Sequence, residues 1–403
     1  MVDTVIIGGG PAGMMAAYAA LQKGEKVLLL EQNNRLGRKL LITGKGRCNI
    51  TNDADIGDFI GQVPVNSRFL YSAFYSFTND QLLDLLHEYG LETKVERGGR
   101  VFPVSDRSSD VLRTLQKLIS GAEIRLNTRV RSILINDGKI TGVSLWDKTE
   151  IKCNKVVLAT GGISYPVTGS RGDGYKIAEQ VGHSVVSPKA SLVPLETEEE
   201  WCKDLQGLSL RNIVVKVTDK RGKEVYSDFG EMVFTHFGVS GPVILSASSH
   251  IRKIDGHRLT IDLKPALSEE QLDARLLRDF QTYSNRDFCN GLDDLLPKKL
   301  IPVIVSLSGI PEHCKIHQIA KEQRQVLVSL CKSLSLTLTA TRPVEEAIIT
   351  SGGINVKEIN PSTMESKKVR GLYFAGEVID VDAYTGGFNL QIAFSTGFLA
   401  GQS

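Results

Sequence analysis

Thr4-Val5-Ile6-Ile7-Gly8-Gly9-Gly10-Pro11-Ala12-Gly13 is the stretch that decides the fold. Thr4–Ile7 is a short apolar run suited to a buried parallel strand. Gly8 permits a tight turn after it. Gly10 lets the backbone approach a pyrophosphate, and Gly13 lets the following helix pack closely on the strand. Apolar residues 14–21 supply that helix, whose free N–H groups and positive end face the anion. Residues 27–30 read as a second strand. Glu31 follows them, where a carboxylate can accept hydrogen bonds from the hydroxyls of an adenosine ribose. A lone GxGxxG is weak evidence. A strand before it, a helix after it and an acid ending the next strand together predict a dinucleotide site at Gly8, Gly10, Pro11, Ala12, Gly13 and Glu31, with Gln32 beside it. An export signal is the competing reading of apolar residues 5–21. It fails because no basic segment precedes them and because glycines and Pro11 interrupt them.

A second motif stands far along the chain. Gly371-Leu372-Tyr373-Phe374-Ala375-Gly376-Glu377 leads through Asp380 into Thr385-Gly386-Gly387-Phe388-Asn389-Leu390. This pattern fits the ribityl and ring end of a flavin. The two motifs together predict that one FAD ties both ends of the chain into one domain. Residues 390–399 have helical periodicity, so Gly387, Phe388, Asn389 and Leu390 would open a helix aimed at the pyrimidine edge of the flavin. Such an N-terminus stabilises negative charge on the reduced ring, and the cofactor itself carries the redox chemistry. A helix packed on the sheet is the plain structural role of the same residues, and the two are compatible.

Composition bounds the rest. The 403 residues give a prior of two or three domains. Lys and Arg number 48 against 46 Asp and Glu, a formal charge of +2, so neither a nucleic-acid surface nor an anionic membrane surface is expected. No apolar run reaches the roughly 18 residues that span a bilayer. Cys48, Cys153, Cys202, Cys289, Cys314 and Cys331 are scattered without a CxxC pair. That argues against a metal site, a redox-active dithiol and a disulfide framework, and a reduced cytoplasmic compartment is the expectation.

The chain reads as α/β, a Rossmann-like FAD-binding domain of glutathione-reductase type interrupted by a β-rich insert domain with a helical subdomain. The expected parts are residues 1–187, an insert at 188–342, and 343–403. Residues 67–89 have helical periodicity. Residues 93–95 and 100–102 flank Gly98-Gly99 as a hairpin, and residues 110–119 form an amphipathic helix. Residues 130–135, 140–146 and 150–153 form a meander with Asp137-Gly138 at its first turn. Residues 155–159 are an apolar strand ending in Thr160-Gly161-Gly162. In the insert, strands are expected at 213–218, 231–235, 258–262 and 334–341, and helices at 269–281, 298–307 and 316–329.

Three further stretches carry candidate chemistry. Residues 38–52 pack glycines, bases and small polar groups into one turn that can wrap a cofactor, with Arg38, Lys39, Gly46, Arg47, Cys48 and Asn49 as contacts. A solvated basic loop is the bland alternative. Gly44-Lys45 lacks Walker A spacing, which excludes a P-loop ATPase. Ala159, Thr160 and Gly161 follow a buried strand and are expected near the dinucleotide; an ordinary turn is the alternative. His236, in Phe234-Thr235-His236-Phe237-Gly238, is suited to proton transfer near neutral pH, although a lone His is more often structural. Arg100, before Pro103, could hold a substrate carboxylate. Tyr165 could donate a proton or stack on the flavin.

These motifs resemble a bacterial FAD flavoprotein family that includes aminoacetone oxidase and the bile-acid-inducible flavoprotein reductases, often described simply as NAD(P)/FAD-dependent oxidoreductases. The resemblance rests on Ile7–Gly13, Gly44-Lys45-Gly46-Arg47-Cys48-Asn49, Gly99-Arg100-Val101-Phe102-Pro103, Ala159–Gly162 with Tyr165-Pro166, Phe234–Pro242 and Thr385–Gln391, which span almost the whole chain. It implies FAD contacts at Gly10, Ala12, Gly13, Glu31, Arg38, Lys39, Gly46, Val130, Glu377, Asn389 and Leu390. Glu377 departs from the wider flavoprotein pattern, in which Asp often follows the final glycine; the longer carboxylate still reaches ribityl hydroxyls.

No second strand-GxGxxG-helix unit is present, so NAD(P)H is expected as a transient co-substrate at the flavin face and not on a domain of its own. The expected activity is an FAD-dependent oxidoreductase moving hydride between flavin N5 and a small organic substrate. Either NAD(P)H-dependent reduction or oxidation of an amine or other small molecule by oxygen fits. A flavin-dependent RNA-modifying protein and an FAD-bound sensor without turnover are the alternatives from other classes.

Overall fold

The computed structural model describes residues 2–251 and 253–403. They form two compact units. One takes in the chain up to Ser191 and again from Val344 to Ser403; the other is Leu192–Pro343.

The first unit is built on a five-stranded parallel sheet in the order Leu372–Phe374, Lys155–Leu158, Thr4–Ile7, Val27–Leu30, Glu123–Arg125. Four of its strands, all but the edge strand Glu123–Arg125, are continuous runs of buried residues, mostly Val, Ile and Leu, with no polar alternation. That is the pattern of a sheet covered on both faces. The helices Pro11–Gln22 and Phe388–Gln402 pack at backbone distance. A Cβ at Gly397 or at Gly401 would fall 2.3 Å from the carbonyl oxygen of Ala12 or Ala16.

The expected meander is present as Val130–Asn136, Lys139–Leu145 and Glu150–Lys152, all antiparallel. Asp137 and Gly138 both take positive φ at its first turn, as a two-residue hairpin demands. The expected hairpin is Thr93–Glu96 with Arg100–Pro103, extended by Thr51–Asn52. The helical stretch at 67–89 is broken in two, Tyr71–Ser76 and Asn79–Glu88. Thr78 restarts the helix as its N-cap in a capping box with Gln81. The antiparallel pair Val185–Ser191 and Ile349–Ile354 was not anticipated from the sequence.

The second unit holds a closed barrel in the order Leu195–Thr197, Gly238–Ser240, Glu224–Thr235, Ser209–Thr218, Arg258–Asp262, Leu334–Thr341. Alternate residues of Ser209–Thr218, such as Ile213, Val215 and Val217, point into its core. Helices Pro242–His250, Glu269–Thr282, Ile301–Ser308 and Lys321–Lys332 complete the unit. The helix expected at 316–329 begins only at Lys321. Ile316–Gln318 is a 3-10 turn, and the Ala320 N–H is taken by the Gln323 side chain at 2.9 Å, which fixes the later start.

Candidate cofactor site

Gly8, Gly10 and Gly13 play three different physical parts. Gly8 has φ +108°, and a Cβ there would lie 2.4 Å from the Ala159 carbonyl oxygen. A Cβ at Gly13 would lie 1.9 Å from the Gly8 carbonyl oxygen. At Gly10 a Cβ would meet no heavy atom within 4 Å among the described residues. Space is therefore left open at the one glycine assigned to phosphate approach. Gly10 is the N-cap of the first helix, Pro11 and Ala12 follow, and no side chain caps the helix or places an acid in its first turn. Uncapped N–H groups beside open space suit an anion.

Glu31 is 7% exposed. Its carboxylate accepts from the Gly9 N–H at 2.8 Å, the Asn33 N–H at 2.8 Å and Asn33 Nδ2 at 2.7 Å. Gln32 Nε2 donates to the Gly169 carbonyl at 2.6 Å, and Arg38 Nη1 donates to Asn33 Oδ1 at 2.9 Å. These bonds fasten the loop after Ala159, Thr160 and Gly161 to the acid at the end of the second strand. The Thr160 hydroxyl is buried and finds no partner among the described residues. Val130 is buried at the start of the meander, paired with Leu145.

Lys39, from the helix that opens the glycine-rich loop, ties the C-terminal motif to the segment after Gly162. Its Nζ donates to Ser164 Oγ at 2.7 Å and to Glu377 Oε2 at 2.6 Å. Glu377 Oε1 accepts from the Thr350 N–H at 2.8 Å and from Ser164 Oγ at 3.0 Å. Gly376 has φ +74°, and a Cβ there would press on the Ala12 methyl at 2.8 Å.

The loop from Gly44 to Asn49 is a run of left-handed backbone at Gly44, Lys45, Gly46 and Cys48. Arg47 turns to Glu96 and Asp106 and lies over the Phe102 ring at 4.2 Å. The Cys48 thiol is fully buried, and that burial pushes it up to about 12. The Asn49 amide, oriented to satisfy its neighbours, donates to the carbonyls of Val101 at 3.2 Å and Thr51 at 3.0 Å and accepts from the Gly387 N–H at 3.0 Å. Gly387 has φ +102°, and a Cβ there would collide with the Thr51 carbonyl at 2.2 Å. Phe388 packs edge-on against Phe59 at 4.9 Å. Asn389 clamps Ala383, accepting its N–H at 2.9 Å and donating to its carbonyl at 2.7 Å. Leu390 is partly buried against the core. Like the first helix, Phe388–Gln402 has no side-chain cap and no acid in its first turn.

The three substrate-side candidates are divided between the units. Arg100 lies in the first, its Nε donating to the Arg97 carbonyl at 3.0 Å. Tyr165, also in the first, adopts φ +51°, and burial raises its hydroxyl above the usual range. His236 is exposed at the hairpin tip of the second unit, 4.9 Å from the Phe237 ring. Sequence reasoning missed Asn52, whose Nδ2 ties the carbonyls of Gly98 and Gly386 together at 3.0 Å each. It also gave no role to the buried pair Asp380 and Asp382.

The family described as the HI0933-like protein Rossmann domain matches residues 2–403. The chain belongs to this family. It is 32% identical to the 3-dehydro-bile acid delta(4,6)-reductase of Clostridium scindens, over 99% of this chain and 98% of that protein. It is 33% identical to the ribosomal RNA dihydrouridine synthase of Escherichia coli, over 99% and 97%. Among solved structures, the 3-ketosteroid delta1-dehydrogenase of Sterolibacterium denitrificans superposes with a TM-score of 0.51 at 14% identity, over 99% of this chain and 98% of that one. The FrdA subunit of Escherichia coli quinol fumarate reductase gives 0.51 at 17%, over 100% and 69%. At such identities the likeness is one of fold: a Rossmann-like FAD-binding domain with an insert. Among the described residues no helix is long and apolar enough to cross a membrane.

Proposed function

We propose that this family member is an FAD-dependent reductase that saturates a carbon–carbon double bond conjugated to a carbonyl, drawing on NAD(P)H as a transient co-substrate. The observation that carries this reading is that two relatives of equal similarity, each matched over nearly its full length, have names that describe one reaction. A delta(4,6)-reductase of a 3-dehydro bile acid and a dihydrouridine synthase both reduce an alkene activated by a carbonyl.

The residues fit FAD on structural grounds. Open space faces the uncapped N-terminus at Gly10, and the close backbone approaches at Gly8 and Gly13 hold the turn that leaves it open. Glu31 would take the adenosine ribose, Pro11, Ala12 and Gly13 the pyrophosphate, and Glu377 with Lys39 the ribityl chain. Phe388, Asn389 and Leu390 would present their N–H groups to the pyrimidine edge, with Gly387, held through its N–H by Asn49, turning the chain into that helix. Bound FAD supplies the hydride chemistry. Arg100, Tyr165 and His236 are the proposed substrate-side groups.

A small enone is the first substrate class, because the charge is nearly balanced at +2. Uracil within RNA is the second, favoured by the 33% identity to the dihydrouridine synthase. The test is anaerobic mixing of the holoprotein with NADH and with NADPH while the flavin absorbance is followed. Cyclohexenone or uridine-containing RNA is then added. Bleaching by one nucleotide followed by recovery with an acceptor is expected. Absence of bleaching with both nucleotides, together with flavin reduction by an amine, would replace the reductase with an oxidase.

A further inference from the structure

Two arginines approach the Phe102 ring, and only one of them is neutralised. Arg47 lies 4.2 Å from its centre and Arg100 5.9 Å. Arg47 pairs with Glu96 and with Asp106, and Asp106 also takes Lys94 at 2.6 Å. Arg100 stands directly opposite Glu96 across the hairpin, so the two side chains leave it on the same face. Glu96 is the acid placed to pair with Arg100, yet Arg47 donates to both of its oxygens. The partly buried Arg100 fastens its Nε to the Arg97 carbonyl at 3.0 Å. Its two Nη groups make no hydrogen bond or ion pair among the described residues.

The turn that carries Arg100 is anchored from its other side. Asn52, 3% exposed, is the second cross-strand neighbour of Arg100. Its Nδ2 donates to the carbonyls of Gly98 and Gly386 at 3.0 Å each, and its Oδ1 accepts the Ala54 N–H at 3.0 Å. The Asp53 N–H holds the Gly99 carbonyl at 2.7 Å. One buried amide therefore joins the tip that bears Arg100 to the turn assigned above to the ring end of the cofactor. A guanidinium fixed through Nε still offers its paired Nη groups, whose planar fork matches the two oxygens of a carboxylate. A partly desolvated cation kept from the acid opposite it is costly unless a ligand supplies the anion.

We propose that Arg100 determines specificity by binding a carboxylate carried by the substrate, so that the unsaturated carbonyl compound reduced by this protein is itself an acid. The inference rests on the reductase reading above and deepens it. Arg100 holds the acid group while hydride passes to the alkene, and no bond of Arg100 is made or broken in the reduction. Asn52 is a positioning residue that acts through Arg100. A phosphate presents the same oxygen pair, so the test separates the two sources.

The experiment uses the FAD-loaded protein, reduced by dithionite under anaerobic conditions, and follows flavin reoxidation over a range of acceptor concentrations. The acceptors are a cyclohexenone bearing a propanoate side chain, the methyl ester of the same compound, uridine, uridine 5′-monophosphate, uridine-containing RNA, and ferricyanide, which needs no substrate site. Wild type should half-saturate with the acid at a concentration about 10–100-fold below that for the ester. Arg100→Gln should erase this difference by raising the value for the acid alone. Asn52→Ala should reduce the acid preference to an intermediate value, and reoxidation by ferricyanide should be unchanged in both variants. The acid–ester comparison in wild type needs no variant, so it decides the matter even where a variant fails to hold FAD. Equal half-saturation by acid and ester in wild type, or an acid preference that survives Arg100→Gln, would overturn the carboxylate site and leave the reductase standing. A preference for uridine 5′-monophosphate over uridine without one for acid over ester would overturn it in favour of a phosphate. An acid preference untouched by Asn52→Ala would overturn the positioning role. Wild type reoxidised by ferricyanide and by none of the unsaturated acceptors would overturn the reductase reading and the site with it.

Discussion

Gly10→Ala should move two quantities in opposite directions. Gly10 has φ −81° and ψ −177°, extended backbone that any residue adopts. Its added methyl meets nothing within 4 Å among the described residues. The apoprotein therefore meets no steric penalty, and the unfolded chain loses conformational freedom, a gain of about 0.4–1 kcal/mol. For a unit of this size that raises the melting point by about 1–4 °C. On the proposed assignment the same methyl would occupy the space of the pyrophosphate. With FAD at about 1,000 times its Kd the holoprotein gains about 4.1 kcal/mol, and a 100-fold weaker Kd cuts that to about 1.4 kcal/mol. Differential scanning fluorimetry of the apoprotein, with and without FAD, reads both quantities. Gly13→Ala is the control: its Cβ would lie 1.9 Å from a backbone oxygen, so that variant should lose the fold. A Gly10→Ala protein that retains FAD at wild-type affinity would refute the phosphate assignment. A destabilised apoprotein would refute the reading of the open space.

Lys39→Met removes the cation from Glu377, and each side chain of the pair is about one-fifth exposed. The cost should fall between that of a surface and a buried ion pair, about 1–3 kcal/mol, with weaker FAD retention by equilibrium dialysis; Lys39→Arg should recover part of it. Glu31→Ala should weaken FAD retention and also destabilise the apoprotein by about 1–3 kcal/mol, because the buried N–H of Gly9 and both Asn33 donors lose their acceptor. Full FAD occupancy in that variant would count against the ribose assignment. Asp382 is raised from 3.8 to about 6, so the folded protein holds this proton more tightly than the unfolded chain. The stability it contributes is complete below about pH 4 and is lost as pH rises through about 6, a difference of about 3 kcal/mol. Asp382→Asn should therefore melt above wild type at pH 7 and close to it at pH 4, with the Ser191 hydroxyl reversing to accept from the amide.

Much of the first unit was legible because its constraints are local. Val5–Ile7, Leu28–Leu30 and Val156–Leu158 are apolar runs that only a doubly covered sheet can bury, and Asp137-Gly138 specifies its own turn. The glycines could be assigned parts in advance because each excludes a Cβ from a definite place. The misjudged elements depend on competition between neighbours. Periodicity alone carried the helical stretch through Phe77, whereas the Thr78 capping box ends and restarts it. The apolar spacing of Ile316 and Ile319 imitates a helical face, so periodicity begins the 316–329 helix ahead of its start at Lys321. Asn52 has no local signature at all: it joins Gly98 to Gly386, and only the fold brings those carbonyls together.

The same distinction separates the cofactor site from the acid. A cradle made of backbone is written in glycines, and glycines can be read one at a time. A buried carboxyl group is ordinary in sequence; Asp382 differs from any loop aspartate only by what surrounds it. Ser191 and Ser351 belong to an antiparallel pair that no local signature in the sequence announces, and Lys189 lends its field with no ion pair to Asp382 among the described residues. A protein selected for stability alone would place Asn or an apolar residue there. Two acids held in one loop, with serine and asparagine as their donors and no paired cation among the described residues, are costly to ionise.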